Sequence, residues 1–334
     1  MSTIACVPNI SEGRDKKVIK AIVDAVKNSA DIQLLGAESG YDVNRTVITF
    51  AGTPQEVKKA AFACIKKSYE LIDMSKHHGK HMRLGCVDVC PFIPIAKADI
   101  QECVEIAQDL GAQVGAELGV PVYLYGYAAS TLARKDLSYI RSGEYEHLAI
   151  KLQNTPPDFG PNAYNATVKK SGAISIGARN CLIAYNVNLD TKDVSIAKEI
   201  AAVIRESGKN HSGTGILKAV KAIGWYIEEY GKCQISMNLE DYKRTPLYVV
   251  YETCVAEAKK RGVKVTGSEI IGLVTKDLML DTAKFYLNKK GKITMGMPMK
   301  DVINEAVVNL GLDELRPFNM NERILEFKLK SMNA

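Results

Sequence analysis

Residues 33–54, Gln33-Leu-Leu-Gly-Ala-Glu-Ser-Gly-Tyr-Asp-Val-Asn-Arg-Thr-Val-Ile-Thr-Phe-Ala-Gly-Thr-Pro54, carry two short apolar runs with no helix between them. Gln33–Leu35 and Thr46–Ala51 read as strands by length and composition. The joining segment, Glu38-Ser-Gly-Tyr-Asp-Val-Asn-Arg45, has the chemistry of a turn. Thr53-Pro54 then places a capping residue before a first-turn proline and starts a long helix, Pro54 to Met74. Upstream, Ile4–Pro8 reads as a strand. Lys17–Val26 reads as an amphipathic helix with Val18, Ile19, Ile22, Val23 and Val26 on one side. Downstream come an extended run from Leu84 to Ile95, a helix from Ile100 to Leu118 and a strand at Val120–Tyr125. The order is β-α-β-β-α-β-α-β. Its first six elements form the split βαβ pattern, a sheet with helices on one face.

A similar order follows residue 172. Leu182–Leu189 reads as a strand, Lys192–Ile204 as a helix, and Lys221–Ile227 and Gln234–Asn238 as adjacent strands. A helix starts at Thr245-Pro246 and runs to about Arg261, and a strand at Val263–Val274 completes the set. The two halves share element order but no evident sequence repeat. Asn154-Thr-Pro-Pro-Asp-Phe-Gly-Pro-Asn-Ala-Tyr-Asn165 resists helix and strand alike, and is expected to be the domain connection or a binding loop. The expected division is residues 1–176, residues 177–325 and a tail, 326–334.

The chain has 334 residues, 46% hydrophobic and 25% charged, an ordinary globular balance with room for a core in each half. No stretch approaches the ~18 apolar residues of a membrane span, and Met1-Ser-Thr-Ile4 does not look like a secretion signal. A cytoplasmic protein with no membrane partner is expected. Eight cysteines are scattered through apolar runs and read as reduced, buried, small hydrophobes. The net charge of +6 is spread without a run of five basic residues, which argues against nucleic acid as partner. A small polyanion suits it better.

Chemistry concentrates in Lys76-His-His-Gly-Lys-His-Met-Arg-Leu-Gly85, which holds three of the five histidines. Imidazole transfers protons near neutrality, and Lys76, Lys80 and Arg83 disfavour its charged form. The bland alternative is a solvated polar loop at a helix end. A metal site is the competing reading, because His77 and His81 have i, i+4 spacing and Cys86 and Cys90 follow. Gly79 and Gly85 argue against a helix there, and the two cysteines on a strand lie roughly 13 Å apart. Asn9, Ser11 and Glu12 follow the first strand directly, while Asn44 and Arg45 close the turn that begins at Glu38. Each is also ordinary turn chemistry. Trp225 reads as strand core packing, and Gly213-Thr-Gly215 lacks the context of a phosphate loop.

The segments CVPNISEGR (6–14), NRTVITF (44–50), LIDMSKHHGKHMRLGCVDVCPFIPI (71–95), IRSGEYE (140–146), PDFGP (157–161), AIGWY (222–226) and GSEIIGLV (267–274) resemble those of glutamate formimidoyltransferases. The resemblance runs from about residue 3 to residue 325. It implies an α+β fold of two ferredoxin-like subdomains, each a sheet with helices on one face, and a homodimer with substrates between the subdomains. It also implies transfer of a formimino group from N-formimino-L-glutamate to tetrahydrofolate, the acceptor substrate, with no metal. His81 falls on the histidine of the family's His-Pro-Arg motif and is implied to be the catalytic acid/base. Glu38 falls on its acidic residue, with Asn9, Ser11, Glu12, Asn44, Arg45 and Arg83 as companion substrate-binding candidates. Arg45 or Arg83 is expected to hold a substrate carboxylate. The family's folate loop maps to Gly160, Pro161, Asn162, Ala163, Tyr164, Asn165, Ala166, Thr167, Val168, Lys169, Lys170, Ser171 and Gly172, with Lys169 or Lys170 toward the glutamate tail. Three features depart from the family: Met82 in place of proline, a long lysine-rich 162–171 segment, and Thr275 where proline is common. The family's cyclodeaminase portion is not expected here, which raises a separate cyclodeaminase as partner. Formiminoglycine as donor, and a catalytically silent folate-binding protein, are the rival functions.

Overall fold

The computed structural model describes residues 2–332, and the chain divides into two compact units between Asn180 and Cys181. The division lies just beyond the expected 176/177 boundary, which would have cut a central strand.

The first unit holds strands β1 (Thr3–Cys6), β2 (Asn9–Ile10), β3 (Gln33–Gly40), β4 (Arg45–Gly52), β5 (Val87–Ala96), β6 (Val122–Gly126) and β7 (Ile174–Ala178). β1 and β2 are two pieces of one edge-to-edge path, both lying between β4 and β5. The sheet therefore runs β3–β4–(β1, β2)–β5–β7–β6, antiparallel except where β7 pairs in parallel with β5 and β6. Helices α1 (Lys16–Ser29), α2 (Pro54–Leu71) and α3 (Ile100–Leu118) cover one face. The shared core includes Ile4, Cys6, Ile48, Phe50, Cys90, Phe92 and Ile176 from the sheet with Ile22, Val26, Ile65, Ile106 and Leu110 from the helices. These strand residues alternate along their strands, so the period-2 pattern aims one set at the helices and the other away. Part of that second face is covered by short helices α4 (Leu137–Arg141), α5 (Leu148–Asn154) and α6 (Ala166–Ser171). Their Ile140, Leu148, Leu152 and Val168 pack on Val89, Tyr123 and Tyr125.

The second unit repeats the arrangement with β8 (Ile183–Leu189), β9 (Val220–Ile227), β10 (Lys232–Leu239) and β11 (Val265–Ile271), in the order β11–β8–β10–β9. This equals the order of β5, β1, β4 and β3 in the first sheet, so both units are ferredoxin-like and the fold is α+β. Its core gathers α7 (Val194–Ile204), α8 (Leu247–Lys260), α9 (Lys276–Lys289) and α10 (Met299–Leu310) on the side of Tyr185, Val187 and Ile235. Trp225 is not in that core. It lies on the other face, and its indole N–H donates to Gln234 Oε1 at 3.1 Å. The expected tail is a helix, Leu325–Met332, where Phe327 packs on the core and Glu326 accepts from the Lys276 N–H at 2.7 Å. Residues 333–334 lie outside the described residues.

Segment 154–165 is not the domain connection. The Asp158 carboxylate accepts the Leu124 N–H at 2.7 Å and pairs with Arg134 at 2.6 Å, and Phe159 C=O accepts the Val122 N–H. These bonds bind the segment to β6 within the first unit. Among the described residues no helix is long and apolar enough to cross a membrane.

Candidate active site

The helix expected to reach Met74 ends at Leu71. The Asp73 carboxylate then accepts the Ser75 N–H (3.0 Å) and hydroxyl (2.7 Å), turning the chain through a single 3₁₀ turn that buries Met74. His77 follows in extended conformation, so no helical face joins it to His81. Its Nε2 lies 2.9 Å from Asn44 C=O, and its Nδ1 lies 3.3 Å from Arg83 Nε. A carbonyl only accepts and a guanidinium only donates, so the proton sits on Nε2 and both nitrogens are occupied. Burial lowers the His77 pKa, the Asn44 bond opposes this in part, and the Arg83 charge adds to it. His77 is thus a neutral, buried strut and not the solvated neighbour a polar loop suggests.

Asn44 fixes this loop from the other side. It adopts φ +48°, a left-handed conformation that asparagine tolerates better than most residues. Its amide accepts the Gly13 N–H and donates to His78 C=O, each at 2.9 Å. Gly79 packs against the same turn, and a Cβ there would stand 2.4 Å from the Val43 oxygen. Three loops that follow separate strands and helices are thereby tied together.

His81 Nδ1 is 2.7 Å from Met82 C=O. The carbonyl makes Nδ1 the donor, which leaves Nε2 as the basic nitrogen of the neutral ring. The bond uses backbone, so methionine in place of proline at 82 leaves it intact. Close to this ring stands a buried ionic cluster. Asp88 accepts from Arg45 Nη1 (2.6 Å), Arg141 Nη2 (2.5 Å), Arg141 Nε (3.3 Å) and the Leu84 N–H (3.0 Å). Arg45 Nε donates to Asn9 Oδ1 at 3.1 Å.

Burial alone would raise the Asp88 pKa, but Arg141 and Arg45 hold the carboxyl well below the usual range. Burial lowers Arg45 to about 10, against the pull of Asp88. His81 is lowered from 6.5 to about 3, by burial first and then by the charges of Arg45 and Arg141. The ring keeps some surface open to water, which screens part of that effect. At neutral pH His81 is an uncharged imidazole beside a cluster with one surplus positive charge.

The remaining expected residues fall into distinct places. Arg45 joins the cluster. Asn9 holds Arg45 and also donates to Val7 C=O at 2.8 Å, so it positions a guanidinium and is not itself turned to a ligand. Ser11 is buried, its hydroxyl donating to Gly85 C=O at 2.7 Å. Glu12 accepts the Arg14 and Asp15 N–H groups at 2.7 and 2.9 Å, ahead of α1. The buried Ser11 shapes the turn and corrects the expectation of substrate contact, whereas Glu12 holds the turn through Oε1 and is half-exposed. Glu38 pairs across with Val47, and Val47 with Asn9, so Glu38 shares a sheet face with Asn9 two strands away.

Arg83 is also a correction. Its five N–H donors all have acceptors: His77 Nδ1, His77 C=O, Glu144 Oε2 and the two carboxylate oxygens of Glu146. None remains for a substrate carboxylate.

In the 160–172 segment, Asn165 caps α6 through the Val168 N–H at 2.9 Å, and Val168, Ser171 and Gly172 are buried. Gly160, Asn162, Ala163, Tyr164, Asn165, Ala166, Thr167, Lys169 and Lys170 are exposed, and Pro161 is half-exposed. Lys170 Nζ donates to Glu70 C=O at 3.1 Å. Among the described residues no three His, Cys, Asp or Glu side chains gather to hold a metal ion. Cys86 points to Ile72 C=O and Lys170 C=O, and Cys90 lies 3.5 Å from Cys6, sulfur to sulfur.

Asp88 and Arg141 are the site residues that sequence reading missed. A lone carboxylate inside the apolar run Val87–Ile95 was the available signal, because a charge buried in a strand needs a partner.

Comparison with known proteins identifies the family. The formiminotransferase domain, N-terminal subdomain, matches residues 3–179, and the formiminotransferase domain matches residues 184–330. A glutamate formimidoyltransferase of Thermoplasma acidophilum is 44% identical over 295 residues, 87% of this chain and 94% of that protein. One from Streptococcus pyogenes is 40% identical over 286 residues, 85% and 93% of the two chains. Formimidoyltransferase-cyclodeaminase of Gallus gallus is 45% identical over 98% of this chain, which spans 60% of that longer protein. With two family matches that take in nearly all of its residues, the chain belongs to the formiminotransferase family.

Proposed function

We propose that the chain transfers a formimino group from N-formimino-L-glutamate to N5 of tetrahydrofolate, giving 5-formimidoyltetrahydrofolate and glutamate, with His81 as acid and base. The N5 lone pair attacks the amidine carbon, and the carbon–nitrogen double bond becomes single. His81 Nε2 takes the proton that N5 must lose. As the bond from carbon to the glutamate nitrogen breaks, the same Nε2–H returns that proton to the leaving amine, and the double bond forms again on the group now attached to N5. The observation that carries this reading is the His81 tautomer, set by the Met82 carbonyl and kept uncharged by burial and by Arg45 and Arg141.

A depressed pKa makes a weak base but a strong conjugate acid. That suits a step in which N5, an aryl-bearing amine, becomes acidic on attack and the departing alkyl amine is the more basic nitrogen. An anionic donor near the cluster offsets the surplus charge and raises the imidazole pKa back toward its ordinary value. Glu38 fits the role of holding the cationic amidinium. Exposed Lys169 and Lys170 fit an anionic folate tail. A homodimer in the cytoplasm, with a separate cyclodeaminase acting on the product, belongs to the same proposal.

The test is His81→Ala. The variant should fold as the wild type does and lose about 10²–10⁴-fold in kcat. Turnover close to wild type with an intact fold removes the mechanism.

A further inference from the structure

Resting on that reading, we infer that Arg141 receives the side-chain carboxylate of the donor, so that the site prefers a dicarboxylate formimino donor over a monocarboxylate one. Of the guanidinium groups around the histidine loop, Arg83 has every donor occupied, as shown above. Arg141 does not. It gives Nε and Nη2 to Asp88, and among the described residues Nη1 makes no hydrogen bond. Asp88 cannot serve it, because a carboxylate has about four acceptor sites and Leu84, Arg45 and Arg141 already fill that number. The acids nearest along the chain, Glu144 and Glu146, are held by Arg83.

Two guanidinium groups therefore share one carboxylate and leave a positive charge uncompensated in a site sheltered from water. Such a charge is costly alone and is relieved by a second anion. Arg141 also keeps 11% of its side chain open, against 7% for Arg45 and none for Asp88. A planar fork with an unused amino edge fits a carboxylate better than any lysine here could.

The two carboxylates of N-formimino-L-glutamate divide naturally over the two arginines. The α-carboxylate is one carbon from the amidine nitrogen and must stay beside His81, on which Arg45 bears more strongly than Arg141 does. The side-chain carboxylate reaches further, toward Arg141. N-formiminoglycine has no group to place there.

The experiment compares the two donors in the full-length chain and in Arg141→Lys, which keeps the charge beside Asp88 but loses the fork. KM for N-formimino-L-glutamate should rise about 10–100-fold, while any change in kcat that comes through His81 falls on both donors alike, so the preference for the dicarboxylate donor in kcat/KM should drop about 10–100-fold. Arg141→Gln should show the same selectivity, more strongly, if it folds. Equal effects on both donors, or none, overturn the inference, since a merely structural arginine would lower kcat for each alike. Should wild type transfer from neither donor, the proposed function fails. Calorimetric titration of each donor then still decides the carboxylate assignment, and equal affinities in wild type and Arg141→Lys refute it.

Discussion

Two ionic clusters flank the same short loop, one around Arg83 and one around Asp88, and they are built to opposite ends. In the first, one guanidinium meets two carboxylates, an imidazole and a carbonyl, and no donor is left over. In the second, one carboxylate meets two guanidinium groups and the positive charge is in excess. The saturated cluster fixes His77 and the chain around it. The unsaturated one sets the charge state of His81. Histidines four residues apart thus have unlike tasks because of how many acceptors surround their arginines, and not because of anything in the imidazole itself.

Breaking the comparison at its centre should have the largest effect. Asp88→Asn leaves Arg45 and Arg141 buried without an anion, and should cost about 3–5 kcal/mol of stability in denaturant melts. A loss below 1 kcal/mol would show that water reaches the cluster and that the excess charge is not confined. At the other cluster, Arg83→Lys keeps one charge opposite Glu146 and gives up the fork. About 1–2 kcal/mol should be lost, with the pH profile of transfer unmoved. An altered profile would mean that Arg83 acts on His81 directly.

The fold was largely legible where signals are local. α3 has the bounds expected from the sequence, and local chemistry fixes them: Asp99 caps its start through the Glu102 N–H and Gly119, at φ +61°, closes its end. The adjacent strands β3 and β4 were read for the same kind of reason. β7 was not: Ile174-Ser-Ile-Gly-Ala178 is short and carries a glycine, and its place between β5 and β6 depends on parallel partners far off in the chain. α9 and α10 were missed beyond the strand that completes the repeated order. At the site, His81, Arg45, Asn9 and Asn44 lay within turns already singled out. Arg141 meets Asp88 across 53 positions, a separation that no spacing rule spans. Arg83 was misjudged for the converse reason, since charge shows in a sequence while saturation of its donors does not.

The central claim is that His81 is a neutral imidazole, proton on Nδ1, at the pH where the protein works. Its pKa lies below the unfolded value of 6.5, so between that pH and about 3 the unfolded chain binds a proton that the folded chain refuses. Stability should therefore fall as pH drops through this window. Nitrogen-15 NMR of the His81 ring across pH 4–8 reads the claim directly. The account predicts the Nδ1–H tautomer with no protonation until well below pH 6.5. A ring that titrates near 6.5, or that carries its proton on Nε2, would contradict it.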